Sequence, residues 1–127
     1  MIVVTKGAFN QLSFTLNGPD AQVSQFTGFD LLEFIADQTG ESVIVLPYTN
    51  YFSWRQVVAS FTEGTDDPLN QAIILTGTDN HWTYKWWRCQ NPIPTELNGI
   101  PSGSLMLETG SVWVEGVDPN PIDEVYK

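Results

Sequence analysis

The sequence has 127 residues and a mass of 14.2 kDa, enough for one domain around a single core. Fifteen Asp and Glu stand against five Lys and Arg, a formal net charge of −10. That balance excludes general binding to DNA, RNA or an anionic membrane surface, each of which needs clustered cations. One Cys and one His exclude an internal disulfide framework, a multi-cysteine zinc site and most imidazole-bound metals, while 42% hydrophobic and 13% aromatic residues exclude a disordered acidic polymer.

Short apolar or alternating runs, parted by Gly, Pro, Asn and Asp, set the rhythm of an all-β domain. Met1–Lys6 lacks a charged region followed by a long apolar run, so the chain is expected to be made in the cytoplasm without a leader. Ile2–Thr5 reads as a first short strand. In Gln11–Asn17, Leu12, Phe14 and Leu16 face one way and Ser13 and Thr15 the other, until Asn17-Gly18-Pro19-Asp20 breaks the pattern. Ser42–Leu46 is a β-branched run stopped by Pro47. Val57–Thr62 and Gln71–Thr76 are further strands, parted by Glu63-Gly64-Thr65-Asp66-Asp67-Pro68. His81–Cys89 is the most aromatic strand. Leu105–Glu108 and Ser111–Glu115 form one long last strand, with Thr109-Gly110 as a bulge or kink.

Two segments admit two readings. Phe29–Asp37 fits a short helix capped by Asp30 and Glu33 with a Phe29–Phe34 staple. It equally fits a strand buried on both faces that turns at Asp37-Gln38-Thr39-Gly40 and pairs with Ser42–Leu46. Ser53-Trp54-Arg55-Gln56 likewise resembles a capping box ahead of Val57, Val58 and Phe61 at helical spacing. The surrounding turn punctuation favours strands in both places. The fold expected is a single antiparallel β-sandwich, Ig-like or jelly-roll-like, of about 7–9 strands over residues 1–116, followed by an extended Pro-rich acidic tail over 117–127.

No catalytic, cofactor or metal site is expected. His81 and Cys89 at the two ends of one strand lie roughly 26 Å apart, too far for a dyad. There is no Gly-x-Ser-x-Gly elbow, Walker A loop or dinucleotide fingerprint. Asp66-Asp67 before Pro68 reads as turn chemistry; calcium held with Asp79 is the rival reading, without EF-hand spacing behind it. A carboxylate-based hydrolase is the one enzymatic rival, since the fold and not the sequence would place its acid pair.

In Trp82-Thr83-Tyr84-Lys85-Trp86-Trp87, alternation places Trp82, Tyr84 and Trp86 in the core and leaves Trp87 out of phase, hence exposed. Trp113, between Val112 and Val114, poses the same question. Tyr48, Tyr51, Phe52 and Trp54 form a second aromatic cluster around Pro47. The span Gln90–Ser104 carries three prolines and two glycines and is too long for a tight hairpin, so it reads as a binding loop or contact arm.

Three stretches together resemble the small β-sandwich structural proteins of tailed-bacteriophage virions. They are Leu31-Leu32-Glu33-Phe34 with Asp37-Gln38-Thr39-Gly40-Glu41-Ser42; Phe61-Thr62-Glu63 through Pro68-Leu69-Asn70 to Trp82-Thr83-Tyr84; and Leu107-Glu108-Thr109-Gly110-Ser111-Val112-Trp113-Val114. They span most of residues 10–116. The resemblance implies a non-enzymatic auxiliary capsid (decoration or cement) or tail-associated protein. It implies a virion location and contacts with other virion proteins, in several copies or as a homo-oligomer. The contact residues expected are Trp87, Pro92, Pro94, Pro119, Pro121 and Tyr126. The alternative from another class is a carbohydrate-binding module that stacks sugar on Trp54, Trp87 or Trp113.

Overall fold

A computed structural model describes residues 1–16, 28–53, 56–76 and 80–116. The turn at 17–20, Trp54, Asp79 and the tail over 117–127, with Pro119, Pro121 and Tyr126, lie outside the described residues. Nine strands are described: β1 (Ile2–Thr5), β2 (Phe9–Thr15), β3 (Gly28–Ala36), β4 (Ser42–Val45), β5 (Tyr48–Tyr51), β6 (Gln56–Glu63), β7 (Ala72–Ile73), β8 (His81–Gln90) and β9 (Leu105–Glu115). A 3-10 turn at Pro68–Asn70 precedes β7.

A five-stranded sheet, ordered β1-β9-β8-β3-β4, packs on a second sheet ordered β2-β6-β5, with β7 on the far end of β6. Pairing is antiparallel except between β1 and β9 and between β6 and β7. This is the strand order of an immunoglobulin-type sandwich, so of the two architectures compatible with the sequence the jelly roll falls away.

Both helical readings resolve as strands. β3 pairs with β4 along Leu32–Ile35 and with β8 along its whole length, so its backbone groups are engaged on both sides. Its burial is nearly continuous because both faces are covered. The capping-box residues before β6 serve a hairpin instead: the Gln56 backbone N–H donates to Ser53 Oγ at 3.1 Å, and the Phe52 N–H donates to the Gln56 carbonyl at 2.8 Å. The Gln71–Thr76 strand shrinks to Ala72–Ile73, since Gln71 takes a left-handed φ of 61° at the end of the 3-10 turn.

Alternation sorts the core. Leu12, Phe14 and Leu16 meet Val57, Ala59 and Phe61 from one sheet; Leu32, Phe34, Ala36, Trp82, Trp86, Val112 and Val114 meet them from the other. Phe14 packs on Trp86 with ring centroids 5.0 Å apart, and Phe34 on Phe61 at 5.5 Å. Each pair joins one sheet to the other. The outer face of the larger sheet carries a second cluster, Phe29, Leu31 and Cys89, with Trp87, Leu97 and Ile100 packed against it. The β8–β9 connection therefore acts as a roof over this face.

The last strand is continuous, as the sequence suggests, but its irregularity sits elsewhere than expected. The register shift falls between Trp86 and Trp87, opposite Leu107, and not at Thr109-Gly110. Gly110 is a glycine for a different reason. A Cβ there would lie 2.6 Å from Cε1 and 2.9 Å from the hydroxyl oxygen of Tyr84. Gly110→Ala is expected to lower stability by about 1–3 kcal/mol in urea unfolding followed by tryptophan fluorescence. In a Tyr84→Leu background the same change should cost less; equal costs in both backgrounds would refute the ring contact as the cause.

Candidate contact surfaces

Two charged residues break the apolar inner faces of the larger sheet. Asp30 continues the inward series Leu32, Phe34, Ala36, and Arg88 continues Trp82, Tyr84, Trp86. They are cross-strand partners in β3 and β8. Their side chains are 8% and 1% exposed, and Arg88 Nε donates to Asp30 Oδ1 at 3.2 Å. Tyr51, from β5 in the other sheet, closes the triad. Its hydroxyl donates to Asp30 Oδ2 and accepts from Arg88 Nη2 at 3.0 Å. Burial, then the Asp30 carboxylate, holds the Tyr51 phenol well above its ordinary range. The triad is a polar clamp between the sheets, in which the phenol keeps its proton and the arginine is paired with the carboxylate.

Two further polar side chains serve the backbone. Glu63, 2% exposed, accepts from the N–H of Gly7 at 2.7 Å and of Leu75 at 2.9 Å. Asn10 accepts from the Thr5 N–H at 2.8 Å and donates to the Thr5 and Ala8 carbonyls, tying the chain where it crosses from one sheet to the other. Asp67 accepts the Asn70 amide at 3.1 Å, which is turn chemistry at the 3-10 segment.

The residues singled out in the sequence are dispersed. Trp87 is half-buried, not exposed: its indole N–H donates to Glu33 at 3.0 Å and it packs against the cluster beneath the roof. The out-of-phase position faces outward as expected, but the connection that the sequence leaves as a loop folds back over it. Cys89 is fully buried in the same cluster, where Ser104 Oγ donates to its sulfur at 3.2 Å and burial pushes its thiol up. In the roof, Pro92 is exposed and Pro94 half-buried. Trp113 is half-buried on the outer face of the larger sheet, edge-on to His81 at 4.8 Å and beside Val3 in the strand register.

Large apolar side chains reach solvent along the roof and the start of β9: Ile93 is 48% exposed, Leu105 48% and Met106 47%. Sequence reasoning passed over all three, because a run of Leu-Met-Leu reads as core; in the register Met106 lies opposite Trp87 on the outer face and Leu105 opposite Arg88 on the other, at the start of β9. A second exposed group, Phe9 and Tyr48, stands on the outer face of the smaller sheet. Comparison with known proteins identifies no relative: no family model, no curated protein and no solved structure matches the chain.

Removing one member of the clamp strands the other charge. Arg88→Met is expected to cost about 3–5 kcal/mol in urea unfolding, and the Asp30→Leu/Arg88→Met double change much less. A double variant as weak as the single one would refute the pairing argument. The phenol gives a pH signature. Its folded pKa lies above the unfolded value of 10.0. Stability is therefore complete below that pH and falls as pH rises beyond it, since the unfolded chain releases the proton first. Tyr51→Phe should flatten this alkaline decline in pH-resolved unfolding, with remaining slope from Tyr84, also held up by burial and then by Glu108, and from the Cys89 thiol, held up by burial.

Proposed function

We propose that this chain is a non-enzymatic structural component of a tailed-bacteriophage virion, an auxiliary capsid or tail-associated protein that works through contacts with other virion proteins. The observation that carries the reading is the exposure of Ile93, Leu105 and Met106 along one connection and the strand that follows it. Apolar side chains of this size, each about half exposed in that connection and at the start of β9 on an acidic domain, suit burial against a neighbour. The sequence resemblance over residues 10–116 points to the same role. So does the charge of −10, which opposes contact with packaged DNA and favours an outward station. Free sheet edges add a means of attachment. Among the described residues β2 pairs only with β6, and its seven residues hold neither charge nor proline, so an extended segment of a neighbour can add to it.

The test is incorporation. In particles assembled with the Ile93→Asp/Leu105→Asp/Met106→Asp variant, quantitative mass spectrometry should find the protein largely lost. The isolated variant should keep its unfolding free energy to within about 0.5 kcal/mol per exposed site. Full incorporation of a folded variant would overturn the assignment of this surface.

A further inference from the structure

We propose that the outer face of the smaller sheet is a binding groove for a neutral glycan. This inference stands apart from the virion reading and uses none of Ile93, Leu105 and Met106, though it shares strand β2 with the edge offered there. The groove has a volume of about 460 Å³ and runs across β2, β6 and β5 to the 3-10 turn. Its floor is Ser60, only 6% exposed although it points outward, because Gln11 of β2 and Tyr48 of β5 are its partners on either side. Phe9 and Tyr48 stand at opposite corners, 63% and 69% exposed. Phe9 is opposite Thr62 and Tyr48 opposite Ser60. The two aromatics are thus about 12 Å apart on the diagonal of two strand spacings and two residues.

The lining selects the ligand class. It holds no Lys, Arg, Asp or Glu, in a chain whose net charge is −10. Phosphorylated, sulfated or uronate ligands would find no countercharge and a repulsive field. A purely apolar ligand would strip water from carboxamides and hydroxyls without replacing their hydrogen bonds. Gln11 and Asn50 have donors and acceptors to offer, making no side-chain hydrogen bond among the described residues. Asn70 and Gln71 are held differently. Their amide N–H groups donate to Asp67 and to the Leu69 carbonyl, which fixes the two side chains in place and leaves their carbonyl oxygens as acceptors. A polyhydroxylated ligand supplies matching donors and acceptors along its length. Its apolar C–H faces suit the two exposed rings. A short oligosaccharide crossing the strands from Phe9 to Tyr48 meets all of these groups.

This site differs from the tryptophan platforms expected from the sequence. Trp87 lies under the roof and Trp113 is half-buried against His81, both on the opposite sheet. The test is an amide-resolved NMR titration of the full chain with neutral α- and β-linked gluco-, manno-, galacto- and xylo-oligosaccharides at millimolar concentration. Oligogalacturonate and heparin fragments serve as charged controls. At least one neutral oligosaccharide should shift the signals of residues 9–13, 48–50 and 58–62. Tyr48→Ala and Phe9→Ala should each weaken that binding about tenfold while the unfolding midpoint stays in place. The inference is overturned if no neutral member of the panel binds, if the charged fragments bind as well, if shifts gather at Trp113, or if both variants keep full affinity.

Discussion

The structure depends on a seam of side chains that joins one sheet to the other. Immunoglobulin domains of antibodies bind the corresponding two strands with a disulfide. Here the single Cys89 faces away from the seam, and Phe14 of β2 meets Trp86 of β8 in its place. Phe34 and Phe61 repeat the device between β3 and β6. Aromatic pairs of this kind bury 150–250 Å² per ring and add about 0.5–1.5 kcal/mol beyond area. The Asp30–Arg88–Tyr51 clamp closes one end of the same interface with directional bonds. Apolar packing tolerates sliding, whereas three hydrogen bonds among buried groups fix the relative position of the sheets.

That arrangement decides where contacts with other molecules can form. The interior is filled, and its one unsatisfied buried side-chain polar atom among the described residues, Trp86 Nε1, lies in packed surroundings. The roof formed by the β8–β9 connection covers one end of the larger sheet's outer face, over Phe29, Leu31, Trp87 and Cys89. Among the described residues, the surfaces left for contact include the rim of the roof, the edge of β2, and the outer face of the smaller sheet. The rim exposes apolar side chains; the sheet face is neutral, amide-rich and flanked by two rings. The two surfaces therefore suit different ligand chemistries, a protein neighbour and a neutral polyol, and they lie on opposite sheets.

Several features were legible from residue patterns. Leu12-Phe14-Leu16 and Trp82-Tyr84-Trp86 face inward as their period of two requires. The strand reading of β3, with its turn at Asp37–Gly40, had a short-helix rival, and the surrounding turn punctuation pointed to the strand. Other features were not legible. β5 escaped notice because its two tyrosines stand three residues apart, on opposite faces with Thr and Asn between them, so no period of two marks a core face. Asp30 had a good local reading as a helix cap, and only the arrival of Arg88 from 58 residues away made it half of a buried ion pair. Gly110 looked like a bulge because nothing local announces the Tyr84 ring beside it.

Period-two alternation, turn residues and the shortage of Cys, His and cations are local or compositional properties. They were enough to determine an acidic all-β domain with an aromatic core and no disulfide framework. Which of two sandwich topologies forms, which tryptophan is covered, and which polar residues share a groove depend on pairings between distant strands. Those pairings are selected by the summed burial of both sheets at once, a quantity no single segment carries. The groove over Ser60 is the clearest case, since its members come from β2, β5, β6 and the 3-10 turn and become neighbours only when the sheet assembles.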